Sequence, residues 1–295
     1  MEPDHAYLTT AEVADYLRLK PRKVYDLARQ GQIPCTRATG KLLFPRQSLD
    51  LWLMSHLEGD APGARPVPAV LAGSQDPLLE WALRESGAGL ATLCHGSGDG
   101  VRRLLAGEAM VAGLHLIDPS SGRYNRPEAL GLAGLRDLVM VRWAVRRQGL
   151  LLAPSNPLGI RGLADLARPG IRVAHRQAGA GARRLLDWLL ARAGMSPEAL
   201  GFIPHPSRSE DDLALAIRQG AADAGLGVEA AARRQGLAFV ALHEEAFDLA
   251  LRRRGYFEPP MQRLLAFARE PRLADQAAAM GGYDIRELGR VTHNA

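Results

Sequence analysis

The sequence predicts an α/β protein in two parts, a small winged helical domain followed by a larger two-lobed α/β domain. Three observations lead there. A Pro/Gly-rich stretch from Gly59 to Pro68 separates a short N-terminal segment from the rest. Beyond it, short apolar runs alternate with helical patterns, which argues for largely parallel sheets. With 47% hydrophobic and 23% charged residues, 295 residues suffice for one small and one larger core. The expected division is 1–58 for the small domain, 59–68 for a linker and 69–295 for the large one, with lobe I at about 69–143 and 251–295 and lobe II at about 144–250.

The first element is announced by Thr9-Thr10-Ala11-Glu12, a capping box in which hydroxyl and carboxylate exchange bonds with backbone N–H groups. Val13, Ala14 and Leu17 form the apolar stripe of the helix that follows. Pro21 suits the first turn of a second helix, which runs to about Gln30 and stops at Gly31. Its buried side is Val24, Leu27 and Ala28, leaving Arg22, Tyr25, Asp26 and Arg29 outward with Lys23 beside them. Two short extended runs within Ile33 to Phe44, around a Thr-Gly turn, read as a hairpin wing with Arg37 and Lys41 near its tip. A third helix, roughly Arg46 to Leu57, returns Leu49, Trp52 and Leu53 to the core.

Charge is concentrated on this element. Between Tyr16 and Leu49 eight basic residues (Arg18, Lys20, Arg22, Lys23, Arg29, Arg37, Lys41, Arg46) face one acid, Asp26, a local balance of 8 − 1 = +7, against +5 for the chain. Phosphate neutralisation supplies much of the affinity of a protein for DNA, and a helix-turn-helix places such a second helix in the major groove. Arg22, Lys23, Tyr25 and Arg29 are the expected groove contacts, with Arg37 and Lys41 on flanking phosphates or in the minor groove. Leu8 to Leu17, then Lys23-Val24-Tyr25, Gly31-Gln32-Ile33-Pro34 and Phe44-Pro45-Arg46 through Trp52-Leu53, resemble the excisionase-type winged helix-turn-helix, a relative of the MerR reading head. The resemblance covers about fifty residues and implies binding to double-stranded DNA.

In the large domain the expected strands are Val67 to Ala72, Gly89 to Cys94 and Ala109 to Leu116, with helices Asp76 to Glu85 and Gly98 to Ala106 between them. An apolar stretch from Leu138 to Trp143 and Val145 to Ala153, interrupted by Arg146-Arg147-Gln148, carries the chain to a second lobe. That lobe repeats the plan: helix Leu163 to Ala167, strand Ile171 to His175, helix Ala182 to Ala193, strand Gly201 to His205, helix Asp211 to Arg218, strand Ala222 to Leu226 and helix Val228 to Gln235. Phe239 to Arg252 leads back, and helices near Met261 to Ala268 and Leu273 to Met280 close the first lobe. Two lobes joined by two crossing segments make a cleft, where ligands bind.

The chemistry expected in that cleft is anion binding at helix N-termini, where backbone N–H groups and the helix dipole favour negative charge. Cys94 to Gly100 in the first lobe and Gln177 to Arg183 in the second each lie between a strand and a helix. The loop Gly73-Ser74-Gln75-Asp76 offers a third set of donors. The candidate ligand-binding residues are Ser74, Gln75, Ser97, Gly98, His115, Tyr124, Gly179, Gly181 and Arg183.

From Ala69 onward the sequence resembles the type II periplasmic-binding-protein-like domain that some bacteria and archaea fuse to a helix-turn-helix. The resemblance rests on Ala72-Gly73-Ser74, Gly96-Ser97-Gly98, Ala112 to Leu116, Tyr124-Asn125, Arg142-Trp143, Arg147 to Leu150, Asn156-Pro157, Arg176-Gln177 with Gly181 and Arg183, and Ala222 to Gly227. Such domains look like the binders of molybdate and tungstate, so the resemblance implies a sensor for a small ligand, a tetrahedral oxyanion by preference. His175 replaces the Asn expected before the Arg-Gln pair, and Ala180 and Ala182 replace hydroxyl residues beside the second-lobe glycine. An oxyanion loses side-chain donors there, and buried anions without donors are costly.

The two cysteines, Cys35 and Cys94, fall in different regions and read as reduced thiols. His95, His115, His175 and His205 follow no metal-site spacing. His115 reads as a cleft or hinge hydrogen-bonder, Tyr124 and Trp143 as cleft lining or core, and Glu244-Glu245 and Asp211-Asp212 as solvated acids. No Ser-His-Asp order, activated cysteine or paired acid supports catalysis. No apolar run reaches the roughly 18 residues of a membrane span, and Met1 to His5 lacks the features of a signal peptide, so a cytoplasmic location is expected. The reading is a one-component transcription regulator without a cofactor, expected as a homodimer on two half-sites. A molybdenum-cofactor enzyme and an excisionase-like DNA-architecture factor stand as the alternatives.

Overall fold

The computed structural model describes residues 6–37, 40–55 and 67–295. It divides into two compact units, Met1–Pro66 and Val67–Ala295. The wing turn at Thr39 and most of the expected linker lie outside the described residues.

The first unit contains β1 (Tyr7–Leu8), α1 (Thr10–Tyr16), α2 (Pro21–Arg29), β2 (Phe44–Pro45) and α3 (Arg46–Ser55). The capping box forms as its residues dictate: Glu12 N–H donates to Thr9 Oγ1 and Thr9 N–H donates to the Glu12 carboxylate. Pro21 opens α2, and Gly31, at φ +67°, takes the left-handed position just past its end. Val13, Ala14, Val24, Ala28, Ile33, Phe44 and Leu49 make one small core. β1 pairs antiparallel with β2. Among the described residues the expected two-strand wing shows one antiparallel bridge, Thr36 to Leu43.

The second unit runs β3 (Val70–Gly73), α4 (Pro77–Glu85), β4 (Ala91–Leu93), α5 (Ser97–Leu105), β5 (Val111–Leu114), α6 (Pro127–Leu130), β6 (Leu138–Leu152), β7 (Arg172–Ala174), α7 (Gly181–Arg192), β8 (Gly201–Phe202), α8 (Glu210–Arg218), β9 (Ala224–Val228), α9 (Glu229–Arg234), β10 (Ala238–Arg252), α10 (Arg253–Phe257), α11 (Pro259–Phe267), α12 (Pro271–Met280), β11 (Tyr283–Asp284) and β12 (Val291–Asn294). The α/β alternation is that expected from the sequence. Leu163–Ala167, expected as an α-helix, is a 3-10 turn.

One sheet runs through both lobes in the order β4-β3-β5-β10-β6-β9-β7-β8. β3 is parallel to β4 and β5 in the first lobe, and β7 is parallel to β8 and β9 in the second. The two 15-residue strands β6 and β10 cross between lobes as an antiparallel pair. Their ladder is irregular between Ala241 and His243 and between Phe247 and Asp248. Such irregularities bend and twist a ribbon locally, here at the lobe crossing.

Each lobe has its own core. Leu71, Leu78, Val141, Trp143 and Phe247 pack with Met261, Leu264 and Leu273 of α11 and α12 in lobe I. Leu150, Val173, Leu185, Leu190 and Leu226 do so in lobe II. A finger following β5 crosses over: Ile117 is fully buried in the lobe II core, with Tyr124 packed against the same cluster. Ile117 and Tyr124 bridge each other, and Asp118 N–H donates to Arg123 O at 2.8 Å. The finger base is pinned by Asn125, whose amide donates to Leu114 O, Ala246 O and Asp248 Oδ2. Two short C-terminal strands, β11 and β12, add to the edge of β6.

Candidate functional site

The C-terminal ends of β3 and β5 and the start of α5 bring Ser74, Ser97 and His115 together. The Ser74 and Ser97 hydroxyls lie 2.7 Å apart, and Ser97 Oγ accepts the His115 backbone N–H at 3.1 Å. All three residues are buried. Gly73 permits this convergence: at φ +102° it runs so close to β5 that a Cβ would sit 2.4 Å from Gly113 O.

The second lobe meets this cluster through the start of α7. A Cβ on Gly181 would lie 2.5 Å from His115 Cε1 and 2.7 Å from Nε2. A Cβ on Gly98 would lie 3.7 Å from Gly179 O, and one on Gly96 3.6 Å from the Ala180 Cα. The starts of α5 and α7 therefore face each other across the cleft. Neither has a side-chain cap, Gly96 and Ala180 standing at the N-cap positions. A helix leaves its first N–H groups without an acceptor of its own; at the start of α7 the Arg183 N–H turns back to Ala180 O at 3.1 Å.

Beneath the cluster, at the lobe crossing, lies a buried charge network that the sequence reading missed. His115 Nδ1 is 2.9 Å from Glu245 Oε2, and Arg146 pairs with both Glu245 and Asp76. Gln148 Nε2 donates to Glu245 at 2.8 Å. Asp76 caps α4 through Leu79 N–H and also accepts from Trp143 Nε1 at 3.0 Å and from the Tyr283 hydroxyl at 2.8 Å. Arg146, Gln148 and Glu245 are at most 1% exposed. Burial pushes the Glu245 carboxyl up, but the Arg146 guanidinium and then His115 outweigh it and hold the pKa at about 2. Glu245 is thus an ionised acceptor, so His115 Nδ1 carries the proton and donates to it.

Two expectations are corrected here. Glu245 is not a solvated acid but one of the most buried groups in the chain. Asp76, grouped with the donors of its loop, is an acceptor occupied by four partners. The signal was present in the sequence: Arg146 and Gln148 interrupt an apolar run, and charge inside a buried strand requires a buried partner.

The remaining candidates are dispersed. Gln75 is half-buried beside Asp76, and its carbonyl faces Arg146 at 3.5 Å. Tyr124 sits in the finger, its hydroxyl buried without a hydrogen-bond partner among the described residues and its pKa raised by burial and then by Glu245. Arg183 leaves the start of α7 but donates to Asp187 at 3.0 Å and to His175 Nδ1 at 3.2 Å, and it stacks on Phe202. Those contacts engage its guanidinium with Asp187 of α7 and with His175 and Phe202 of the same lobe. Cys94 is a free thiol whose pKa burial pushes up to about 11.

In the N-terminal unit, Arg22, Lys23, Tyr25 and Arg29 all lie on the exposed side of α2. Arg37 and Lys41 are exposed on the wing. Tyr25 is 55% exposed, high for an aromatic side chain in a helix whose opposite face is core. Tyr16 donates to Asp50 at 2.6 Å, tying α1 to α3 and leaving the outer face of α2 clear of that contact.

Comparison with known proteins matches these two units. The model of the PBP superfamily domain covers residues 80–269. The chain belongs to the PBP superfamily. A helix-turn-helix domain model covers residues 7–56. Over 308 aligned positions the chain is 26% identical to the uncharacterized protein YvgK of Bacillus subtilis strain 168, spanning 96% of each. Among solved structures, a phosphate ABC transporter substrate-binding protein of Clostridium perfringens with bound phosphate is similar over 76% of this chain and 99% of that one, at 14% identity and a TM-score of 0.54. A cysteine-to-serine mutant of Corynebacterium glutamicum OxyR, with H2O2 bound, is similar over 92% and 89% respectively, at 14% identity and a TM-score of 0.51. The sulfate-binding protein SubI of Mycobacterium tuberculosis H37Rv is similar over 72% and 85%, at 14% identity and a TM-score of 0.50. At these identities the likeness is one of fold. Among the described residues no helix is long and apolar enough to cross a membrane.

Proposed function

We propose that the chain is a ligand-responsive, DNA-binding transcription regulator. Its two-lobed domain closes on a small anion, for which a tetrahedral oxyanion such as molybdate or tungstate is the preferred candidate. The observation that carries this reading is the pair of uncapped helix starts facing each other over Ser74, Ser97 and His115. Such an arrangement offers N–H and O–H donors converging from two bodies that can separate, which is what a closing anion site needs. Phosphate occupies one protein of the same fold.

The donor set is asymmetric. Lobe I supplies both hydroxyls and His115, whereas Ala180 and Ala182 leave lobe II with backbone N–H groups alone. Arg146 is consumed by Asp76 and Glu245, so the anion is held by dipoles and hydrogen bonds, beside a His115 fixed by Glu245 and Ser97. This is a binder and not a catalyst, acting in the cytoplasm as a homodimer. α2 reads the major groove through Arg22, Lys23, Tyr25 and Arg29.

The test is a thermal shift on the full chain with molybdate, tungstate, sulfate and phosphate. A ligand at about 100 times its dissociation constant adds roughly 2.7 kcal/mol, which raises the midpoint of a domain this size by about 5 to 10 °C. A rise with one or two of these anions supports the reading. No rise with any of them removes the oxyanion and leaves the DNA-binding assignment to stand by itself.

A further inference from the structure

A second surface feature lies apart from the interlobe cluster. Between the finger that follows β5 and α7 is a groove of about 500 Å³, lined by Pro119, Arg184, Asp187, Trp188, Ala191 and Arg192. A volume of this size falls within the range of small-molecule pockets. Arg184, Trp188 and Arg192 follow each other at i, i+4 and i+8, so α7 presents them as one stripe, the two arginines about 12 Å apart.

The stripe is electrostatically unbalanced. Both Arg184 and Arg192 are exposed, and among the described residues neither makes an ion pair. Asp187 is engaged by Arg183 at 3.0 Å. Arg192 lies over the Trp188 ring at 4.8 Å from its centroid. The indole itself is held in place. A Cβ on Gly122 of the finger would meet Trp188 Cζ2 at 3.1 Å, and His243 packs 5.4 Å behind. A fixed aromatic wall with the exposed Arg184 at one end and Arg192 resting over the ring at the other complements a planar ring bearing a carboxylate: the exposed Arg192 side chain swings off Trp188 to admit the ring beside Pro119, and the carboxylate pairs bidentately with an arginine.

We propose that this groove is a binding site for a small aromatic carboxylate, separate from the anion site between the lobes. The finger is itself anchored in the lobe II core through Ile117, so both walls of the groove belong to one packed body and the binding does not depend on lobe closure.

The experiment is calorimetric titration of the full chain with benzoate and indole-3-acetate, with benzamide as the uncharged control. Binding of at least one acid is expected with a dissociation constant of about 1 mM or tighter, with benzamide at least 10-fold weaker. The R184A/R192A double variant, altered only at exposed positions, is expected to lose at least 10-fold, and Trp188→Leu to lose a comparable amount. Ser97→Ala leaves benzoate binding unchanged, which separates this site from the cleft. The proposal is overturned if neither acid binds at about 10 mM, if benzamide binds as well as benzoate, or if the double variant binds like the wild type.

Discussion

Gly181→Ala is the sharpest probe of lobe closure. The added methyl would sit 2.5 Å from His115 Cε1, 2.6 Å from Nδ1 and 2.7 Å from Nε2. Carbon contacts relax at about 3.5 to 4.0 Å, so the surfaces must separate by about 1 Å. His115 cannot give way within its own lobe. Its Nδ1 is tied to Glu245, its backbone N–H to Ser97, and its ring stacks on Phe247 with centroids 5.7 Å apart. The strain therefore falls on the interlobe contact, and overpacking of this kind costs about 1 to 3 kcal/mol. That is roughly a 5- to 150-fold shift toward the separated state. Gly181 has no positive φ, and alanine is the better helix former, so lobe II itself is not weakened. Gly134→Ala, with nothing within 4 Å of its added methyl, is the matched control. Hydrogen exchange of segments 94–100 and 177–186 reads closure directly, and anion affinity reads its consequence. Faster exchange in both segments and weaker anion binding are expected for Gly181→Ala and not for Gly134→Ala. Unchanged exchange and affinity would mean that the two helix starts do not depend on each other, and the closing site would be refuted.

Three further outcomes follow from the same geometry. Glu245 has its carboxyl pKa lowered from 4.5 to about 2, so it contributes about 3 kcal/mol of stability that is fully present above about pH 4.5 and lost as pH falls toward 2. Glu245→Gln should lower the thermal midpoint at pH 7 and flatten its fall between pH 4.5 and 3. Parallel wild-type and variant curves would remove Glu245 from the ionised network. Ser97→Ala should weaken anion binding by about 1.5 to 3 kcal/mol, the worth of a hydrogen bond to a charged group, as read by titration with whichever oxyanion raises the wild-type midpoint; full retention would take Ser97 out of the site. Arg29→Ala should weaken DNA binding by about 1 to 3 kcal/mol on a gel shift, and an unchanged shift would remove α2 as the reading helix.

The elements most legible in the sequence are those with a strong local cause. Thr9 with Glu12, Pro21 and Gly31 mark the ends of α1 and α2 by chemistry confined to a few residues, and the structure forms them there. The α/β alternation from β3 to α9 was readable because each strand is a short apolar run beside an amphipathic helix. β11 and β12 were not, since two residues carry no periodicity and Val291–Asn294 is a half-exposed polar edge whose only cause is pairing with β6. The finger was equally hidden: Ile117 and Tyr124 look like any loop residues until the fold of lobe II gives them a core to enter.

The site was half legible for the same reason. Ser74, Ser97 and Gly181 stand at strand-to-helix turns, and the rule that such turns gather at the ends of parallel strands brings them together. The Asp76-Arg146-Glu245-His115 network joins residues 70, 99 and 130 positions apart. No local pattern reports a partner at that distance, and an acidic Glu244-Glu245 pair reads as solvated unless the register of β10 against β6 is known. Arg183 was misleading in the opposite sense, because its position at a helix start suggests a ligand donor while Asp187, one turn on, takes its charge.

Central to the proposed function is that an anion held between the lobes alters DNA binding by the head. The most direct measurement is a gel shift of the full chain on DNA fragments enriched by that chain from random sequence, titrated with molybdate, tungstate, sulfate and phosphate, alongside Ser97→Ala. At least one oxyanion is predicted to change the apparent DNA affinity by about 5-fold or more, the lower end of typical allosteric coupling, while Ser97→Ala binds the same DNA without responding. DNA binding that is indifferent to every anion that binds the lobes would contradict it, leaving a DNA-binding head joined to a binding domain that does not govern it.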